Sequence, residues 1–230
     1  VTGSLGDEPN PALGLRGIRL QAAVSGLLAT QLRALVIAAG RTRADLRVML
    51  PMVTTVEEVR AARTELLAAR TALEAEGVGL QRSLPLGIML ETPAAVFALD
   101  GLAQEAAFFS LGTNDLAQYI MAADRLNPRL ADLCRPTQPA ILRAIHSAAQ
   151  SAQAAQRHVG VCGEMAADPR LALLLVGLGV ESLSMAPASI PVVKAALAAH
   201  TLDELQTLAE RILRLATAGQ VEQALSQALA

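Results

Sequence analysis

Five short apolar runs, separated by longer stretches with helical periodicity, constrain the fold of this 230-residue chain more than any other feature. Most of these runs are continuously hydrophobic, as expected for parallel strands that are covered on both faces. The predicted strands are LRVMLPM (46–52), LPLGIMLE (84–91), AAFFSLG (106–112), HVGVCG (158–163) and VESLSMAP (180–187). The repeated order of strand and helix predicts parallel βαβ units.

Helix start and stop signals lie between and around these runs. Thr92 is the expected N-cap of one helix, with Pro93 at its first helical position. Another predicted helix begins at an Asp-Pro pair and ends at a glycine, as helices often do. The N-terminus predicts a loop, and the predicted helical segments are 11–40, 54–77, 91–106, 168–179 and the closing stretches 189–200 and 201–230.

The number of strands bears on the fold class. We predict an α/β fold with five βα units and C-terminal helices, which is compatible with a (βα)8 TIM-type barrel that lacks its first strands. Five strands are too few to close such a barrel, so about three βα units would be missing at the front if the fold is that barrel, and an open sheet is the alternative. Residues 1–230 are expected to form one partial barrel domain with a helical tail at about 201–230.

Composition and charge exclude several classes of protein. A hydrophobic content of 53% excludes a disordered chain, and a net charge of −2 with 2% aromatic residues argues against nucleic-acid binding. The most apolar segment, residues 171–180, is too short to span a bilayer. Cys134 and Cys162 form no CxxC pair, which favours a reducing cytoplasm. We therefore expect a cytoplasmic protein with no membrane insertion.

Polar residues follow the apolar strands where the strands end. Glu91 ends the second run, Asn114 and Asp115 follow the third, and Cys162 ends the fourth. Active sites of parallel α/β folds lie at this edge of the sheet. Glu91 and Asp115 can offer carboxylate oxygens to one Mg²⁺. The alternative is that each carboxylate favours a helix N-terminus, either through the helix dipole or as a cap.

The remaining candidates also have two interpretations. Cys162 is either a reactive thiol or a small core residue, and Arg125 either neutralises an anion or is a solvated charge at a helix end. The histidines, which are His146, His158 and His200, are expected to be structural or surface residues. The residue pattern by itself thus predicts an α/β protein with a magnesium and anion site.

Six strings, in order, closely resemble the phosphoenolpyruvate-binding domain of Enzyme I of the bacterial phosphotransferase system. They are NPALGLRGIRL (10–20), LPMVTTVEEVRAAR (50–63), GIMLETPAAV (87–96), FFSLGTNDLAQYIMAADRLNP (108–128), GVCGEMAADP (160–169) and SMAPASIP (184–191). The resemblance runs from about residue 10 to 195. Pyruvate phosphate dikinase and phosphoenolpyruvate synthase share this barrel, but the sequences ETPAA, AQYIMAADR and SIP resemble Enzyme I more closely.

The resemblance implies a role for each site residue. Glu91 and Asp115 would ligate Mg²⁺, and Cys162 would protonate the enolate as pyruvate forms. The substrate phosphoenolpyruvate would contact the residues Asn114, Asp115, Arg125 and Arg16. The family further implies a homodimer and a histidine-containing phosphocarrier protein as partner, reached through an N-terminal domain.

The sequence departs from the family pattern at its front. It contains neither the motif of the acceptor histidine nor the early strands that carry two further phosphate-binding arginines in the family. We expect a fragment of a longer Enzyme I or multiphosphoryl-transfer protein, inactive in phosphotransfer alone. The alternatives are a truncated paralogue that serves as a dimerisation or regulatory module, and a dikinase-type barrel.

Overall fold

A computed structural model of the chain describes residues 8–42, 44–78 and 84–228. The predicted N-terminal loop falls largely on residues 1–7, which lie outside the described residues.

The five predicted strands are confirmed and form one parallel sheet with the strands in sequential order. The strands are β1 (Val48–Leu50), β2 (Leu86–Leu90), β3 (Phe108–Gly112), β4 (His158–Cys162) and β5 (Ser182–Ser184). Register is defined by pairs such as Leu90 with Leu111 and Gly112 with Cys162. Sequential parallel order is that of an arc of a (βα)8 barrel. Within the described residues the arc stays open, because β1 and β5 each pair with a single strand.

Helices connect and cover the strands. They are α1 (Leu27–Arg41), α2 (Val56–Ala75), α3 (Pro93–Phe97), α4 (Leu99–Leu102), α5 (Thr113–Met121), α6 (Pro139–Ala154), α7 (Pro169–Gly177), α8 (Ile190–Ala198), α9 (Leu202–Leu213) and α10 (Ala218–Ala228). Short 3-10 turns include Gly17–Ala22 and Glu164–Ala167. No helix within the described ranges combines the length and the apolar character that crossing a membrane requires.

Local signals set the helix ends. The Thr92 hydroxyl accepts from the amide of Ala95, and the Asp168 carboxylate accepts from two amides of α7, so both predicted caps are confirmed. The segment 11–40 is mostly helical, as predicted, but its helical residues fall in two parts. It forms the 3-10 turn and then α1, and the left-handed backbone of Gly26, at φ 74°, separates the two.

The two faces of the sheet differ in burial. Alternate strand side chains pack under the helices and build the core, namely Val48, Leu50, Leu86, Ile88, Leu90, Phe109, Leu111, Val159 and Val161. On the other face, Met49, Met89, Ser110 and Cys162 are half-buried and Ser184 is exposed. The expectation of strands covered on both faces is therefore wrong for this chain as described. The open face carries the polar strand ends.

The C-terminal helices belong to the same core. Leu208 and Ile212 of α9 and Val221 and Leu225 of α10 are buried in the cluster that contains the strands. Gly177 at the end of α7 lies against the backbone of Leu205, where a Cβ would collide with the carbonyl oxygen. Helices α9 and α10 therefore pack against the core that the strands form.

Candidate active site

Glu91 follows β2 and is 3% exposed. The backbone amide of Met52 donates to its Oε1 at 2.6 Å. Burial raises the pKa of Glu91 most, the Met52 hydrogen bond opposes that rise, and the negative charge of Asp115 adds to it. A cation close to both carboxylates would stabilise their charged forms by electrostatic attraction.

Asp115 lies in the first turn of α5, directly after β3, and is flanked by two arginines. Arg16 Nη2 lies 3.2 Å from Asp115 Oδ2, and Arg125 Nε lies 3.7 Å from Asp115 Oδ1. The second distance is an ion-pair distance, beyond hydrogen-bond range. Oδ1 is buried and has no hydrogen-bond partner among the residues that the structure describes. An unsatisfied buried carboxylate oxygen is costly, so this atom favours a ligand.

The carboxylates of Glu91 and Asp115 are candidate ligands for a magnesium ion. Mg²⁺ commonly takes one or two protein carboxylates and completes its octahedron with water and substrate phosphate. The described residues contain no cluster of three or more His, Cys, Asp or Glu able to hold a metal, so this pair offers an incomplete set. Two carboxylates would leave coordination positions of the cation free for water and for the oxygen atoms of an anionic substrate.

Gly112 permits the close approach of the strand ends. A Cβ at this position would lie 2.8 Å from Met89 Sδ and 2.9 Å from Glu91 Cβ. Any larger residue would therefore push Glu91 away from its position beside β3. This glycine was not predicted as a site residue, although it lies in the string SLGTND.

The segment before the first 3-10 turn brings Arg16 to the site. Gly17 has a φ of 56°, and a Cβ there would lie 2.8 Å from Met52 Cβ and from the Pro51 carbonyl oxygen. The amide of Ile18 donates to that same carbonyl at 3.0 Å. This contact places the segment on the turn that holds Glu91.

Tyr119 is a site residue that the sequence analysis missed. Arg16 Nη1 donates to its hydroxyl at 3.2 Å, and the hydroxyl donates to the carbonyl of Ala12. Tyr119 is the single tyrosine of the chain and lies four residues after Asp115, on the same helical face. This spacing from Asp115 is the sequence signal that could have identified Tyr119 as a site residue.

Cys162 ends β4 with its thiol half-buried on the open face. The Ser110 hydroxyl donates to its sulfur at 3.3 Å, and the sulfur lies 3.6 Å from the carbonyl oxygen of Leu111. Asn114 approaches the next residue, since a Cβ on Gly163 would lie 3.4 Å from Asn114 Oδ1. Cys162 and Asn114 therefore stand at the same edge of the sheet as Asp115.

Arg125 follows α5, which ends where Ala122 adopts the left-handed conformation at φ 49°. The Arg125 amide donates to Gln118 Oε1 at 3.0 Å, which fixes the start of the loop. A cavity of about 440 Å³ opens beside it, lined among others by Thr113, Asn114, Cys134 and Glu164. All six predicted site residues thus lie at the carboxyl edge of the strands, and Asp115 contacts both arginines directly.

Comparison with known proteins gives one family and several relatives. Residues 2–202 match the family described as PEP-utilising enzyme, PEP-binding domain. A phosphoenolpyruvate-protein phosphotransferase of Haloferax volcanii is 49% identical over 96% of this chain and 40% of its own length. A multiphosphoryl transfer protein of Xanthomonas campestris is 49% identical over 93% of this chain and 25% of its own. The phosphotransferase of Geobacillus stearothermophilus is 42% identical over 93% and 37%.

The chain therefore spans less than half of the length of these relatives. Among solved structures, a citrate lyase from Burkholderia xenovorans matches with a TM-score of 0.56 and 18% identity, over 88% of this chain and 67% of that chain. At this identity the match supports the fold alone.

Proposed function

Because the chain belongs to the PEP-binding domain family of PEP-utilising enzymes, we propose that it forms the phosphoenolpyruvate site of a phosphoenolpyruvate–protein phosphotransferase. The observation that carries this proposal is the environment of Asp115. Its carboxylate contacts Arg16 and Arg125, and its buried Oδ1 has no hydrogen-bond partner in the described part of the chain. Cationic groups and a hard-metal ligand at one point suit a substrate that bears a phosphate and a carboxylate.

Each side chain has a task in this reaction. Glu91 and Asp115 would hold Mg²⁺, which when bound supplies Lewis-acid stabilisation of the negative charge on the substrate. Arg16 and Arg125 neutralise phosphoryl charge, and Asn114 donates to the substrate carboxylate. These groups bind and orient the substrate before the phosphorus–oxygen bond breaks.

The phosphorus–oxygen bond of phosphoenolpyruvate breaks, the phosphoryl group passes to an imidazole nitrogen of a histidine on another domain, and the enolate of pyruvate remains. The Cys162 thiol then gives its proton to the methylene carbon of the enolate. The Ser110 hydroxyl, which donates to the Cys162 sulfur at 3.3 Å, steadies the sulfur as it becomes a thiolate.

The partners belong to this proposal. The names of the relatives favour a protein phosphotransferase over a dikinase. The phosphorylated histidine would then pass its phosphoryl group to a histidine-containing phosphocarrier protein for sugar uptake. A homodimer and a cytoplasmic location, together with the absence of nucleic-acid partners, remain predictions.

The test is a calorimetric titration of phosphoenolpyruvate into the 230-residue protein, with and without Mg²⁺. Binding that depends on Mg²⁺ and is lost in Glu91→Ala would support the proposal. The matched control is Glu65→Ala, which removes an exposed carboxylate on α2. Binding that is insensitive to both Mg²⁺ and Glu91→Ala would contradict the proposed site.

A further inference from the structure

We propose that Tyr119 is a positioning residue, whose hydroxyl holds the Arg16 guanidinium beside Asp115 and fixes the segment 12–16 over the site. The inference rests on the proposed function, because it explains how the substrate-binding arginine is oriented. Arg16 lies far from α5 in sequence, so its position depends on contacts made only in the folded chain.

The guanidinium of Arg16 meets two acceptors on one helix. Its Nη1 donates to the Tyr119 hydroxyl at 3.2 Å and its Nη2 to Asp115 Oδ2 at 3.2 Å. Residues four apart on a helix lie one above the other, so the two acceptors match the planar fork of the guanidinium. Two bonds define an orientation, whereas Asp115 alone leaves the guanidinium free to rotate.

The hydroxyl of Tyr119 uses both of its hydrogen-bonding functions. It accepts from Arg16 and donates its single proton to the carbonyl of Ala12. Ala12 and Arg16 belong to the same short segment, so one hydroxyl ties two points of that segment to α5. A phenylalanine at this position removes both bonds and keeps the ring.

The same hydroxyl lies close to the support of Glu91. It is 3.8 Å from the sulfur of Met52, whose amide donates to Glu91 at 2.6 Å. Met52 has a positive φ of 61°, a conformation that costs free energy and needs surrounding contacts to persist. Tyr119 therefore contacts Arg16, which binds Asp115, and also Met52, whose amide binds Glu91. Asp115 and Glu91 are the carboxylates that would hold the metal ion.

The ring of Tyr119 performs a separate task. It lines an apolar cavity with Pro93, Val96, Phe97 and Ile120. Because a phenylalanine ring fills the same space, Tyr119→Phe tests the hydroxyl without opening a cavity in the core.

Arg19 supplies a matched control. Its Nη1 donates to the carbonyl of Leu13 at 3.0 Å and its Nη2 to Thr54 Oγ1 at 3.1 Å, so it fastens the same segment. The hydrogen bonds of its guanidinium go to neither Arg16 nor Asp115. A purely structural effect of loosening the segment would therefore appear equally in Arg19→Ala.

The first experiment measures phosphoenolpyruvate binding in the presence of Mg²⁺ by calorimetry. We expect Tyr119→Phe to weaken binding about tenfold, as for loss of a hydrogen bond to a charged group, and Arg19→Ala to weaken it less than about threefold. In an Arg16→Gln background, Tyr119→Phe should cause no further loss, because the two residues act as a pair. Equal losses in Tyr119→Phe and Arg19→Ala, additive effects, or unchanged binding in Tyr119→Phe would overturn the proposal.

A second experiment needs no ligand. The chain has one tyrosine and no tryptophan, so its intrinsic emission reports Tyr119 alone. We expect Arg16→Gln to change this emission and Arg19→Ala to leave it unchanged. If emission responds to Arg16→Gln but wild type does not bind phosphoenolpyruvate, the positioning contact stands and the proposed function fails. Emission that is the same in both variants overturns the positioning role.

Discussion

Arg16 and Asp115 lie 99 residues apart in the chain, yet their side chains are 3.2 Å apart. The ion pair is partly open to water, with the Arg16 side chain 35% exposed. Pairs of this kind contribute only about 0–1 kcal/mol to folding stability. The pair therefore contributes little to the stability of the fold. Its effect on the site is to hold the Arg16 guanidinium beside the Asp115 carboxylate, whose Oδ1 has no hydrogen-bond partner among the described residues.

Asp115→Asn should weaken Mg²⁺-dependent binding of phosphoenolpyruvate at least about tenfold, because it removes a metal ligand and the charge that holds both arginines. The folded state should persist, since asparagine has nearly the same shape. Calorimetry checks the affinity and circular dichroism checks the fold. As a control, Asp203→Asn changes an exposed carboxylate in the first turn of α9 and should bind as wild type does. Unchanged affinity in Asp115→Asn would exclude Asp115 as a ligand.

Glu91 should make the stability of the metal-free protein depend on pH. Burial raises the pKa of Glu91 in the folded state above its ordinary value of 4.5. The folded state thus binds the proton more tightly than the unfolded state, so this contribution to stability is present at low pH and is lost as pH rises through the raised pKa. Glu91→Gln lacks this loss.

The measurement is urea denaturation of wild type and Glu91→Gln across the acid to neutral range. The advantage of the variant in free energy of unfolding should grow from pH 4.5, the ordinary value for the carboxyl, towards neutrality. A difference that stays constant with pH would mean that burial does not perturb this carboxyl.

Gly112→Ala should damage both the fold and the site. Its Cβ would lie 2.9 Å from Glu91 Cβ, so Glu91 must move. We expect a loss of about 1–3 kcal/mol in free energy of unfolding, as for other overpacking changes, together with weaker Mg²⁺-dependent binding. Gly219→Ala in α10 is the control, because among the described residues no heavy atom beyond the local backbone of α10 and the chain neighbours lies within 4 Å of the new Cβ. Removing a helical glycine there should stabilise the protein by about 0.5–1 kcal/mol. If Gly112→Ala kept the wild-type free energy of unfolding and binding, the strand ends would have space for a Cβ at this position.

Cys162→Ala should separate binding from proton transfer. Phosphoenolpyruvate should still bind with Mg²⁺, because the role proposed for the thiol is to protonate the enolate carbon and not to bind the phosphate. Exchange of the pyruvate methyl protons with deuterium, followed by NMR, should slow about 100-fold or more. The other free thiol, Cys134, provides the control, since Cys134→Ala should exchange at the wild-type rate. Equal exchange rates in wild type and Cys162→Ala would assign the proton to another group.

Some parts of the structure were open to prediction because they depend on neighbouring residues. Continuous apolar runs predict buried strands, and Thr92 and Asp168 cap helices through bonds to amides two or three residues away. Helix α6 (Pro139–Ala154) was not predicted, although its buried residues, such as Ile141 and Ile145, recur at helical spacing.

The sequence by itself determined the parallel strands, their order of alternation with helices, and the presence of Glu91, Asp115 and Cys162 at strand ends. Periodicity and capping are local properties, so they are visible in the chain. The tertiary structure alone decided that Tyr119 binds Arg16, that Met52 donates to Glu91, and that one oxygen of Asp115 has no hydrogen-bond partner among the described residues. Those contacts join residues far apart in the chain, and only packing brings them within hydrogen-bond distance.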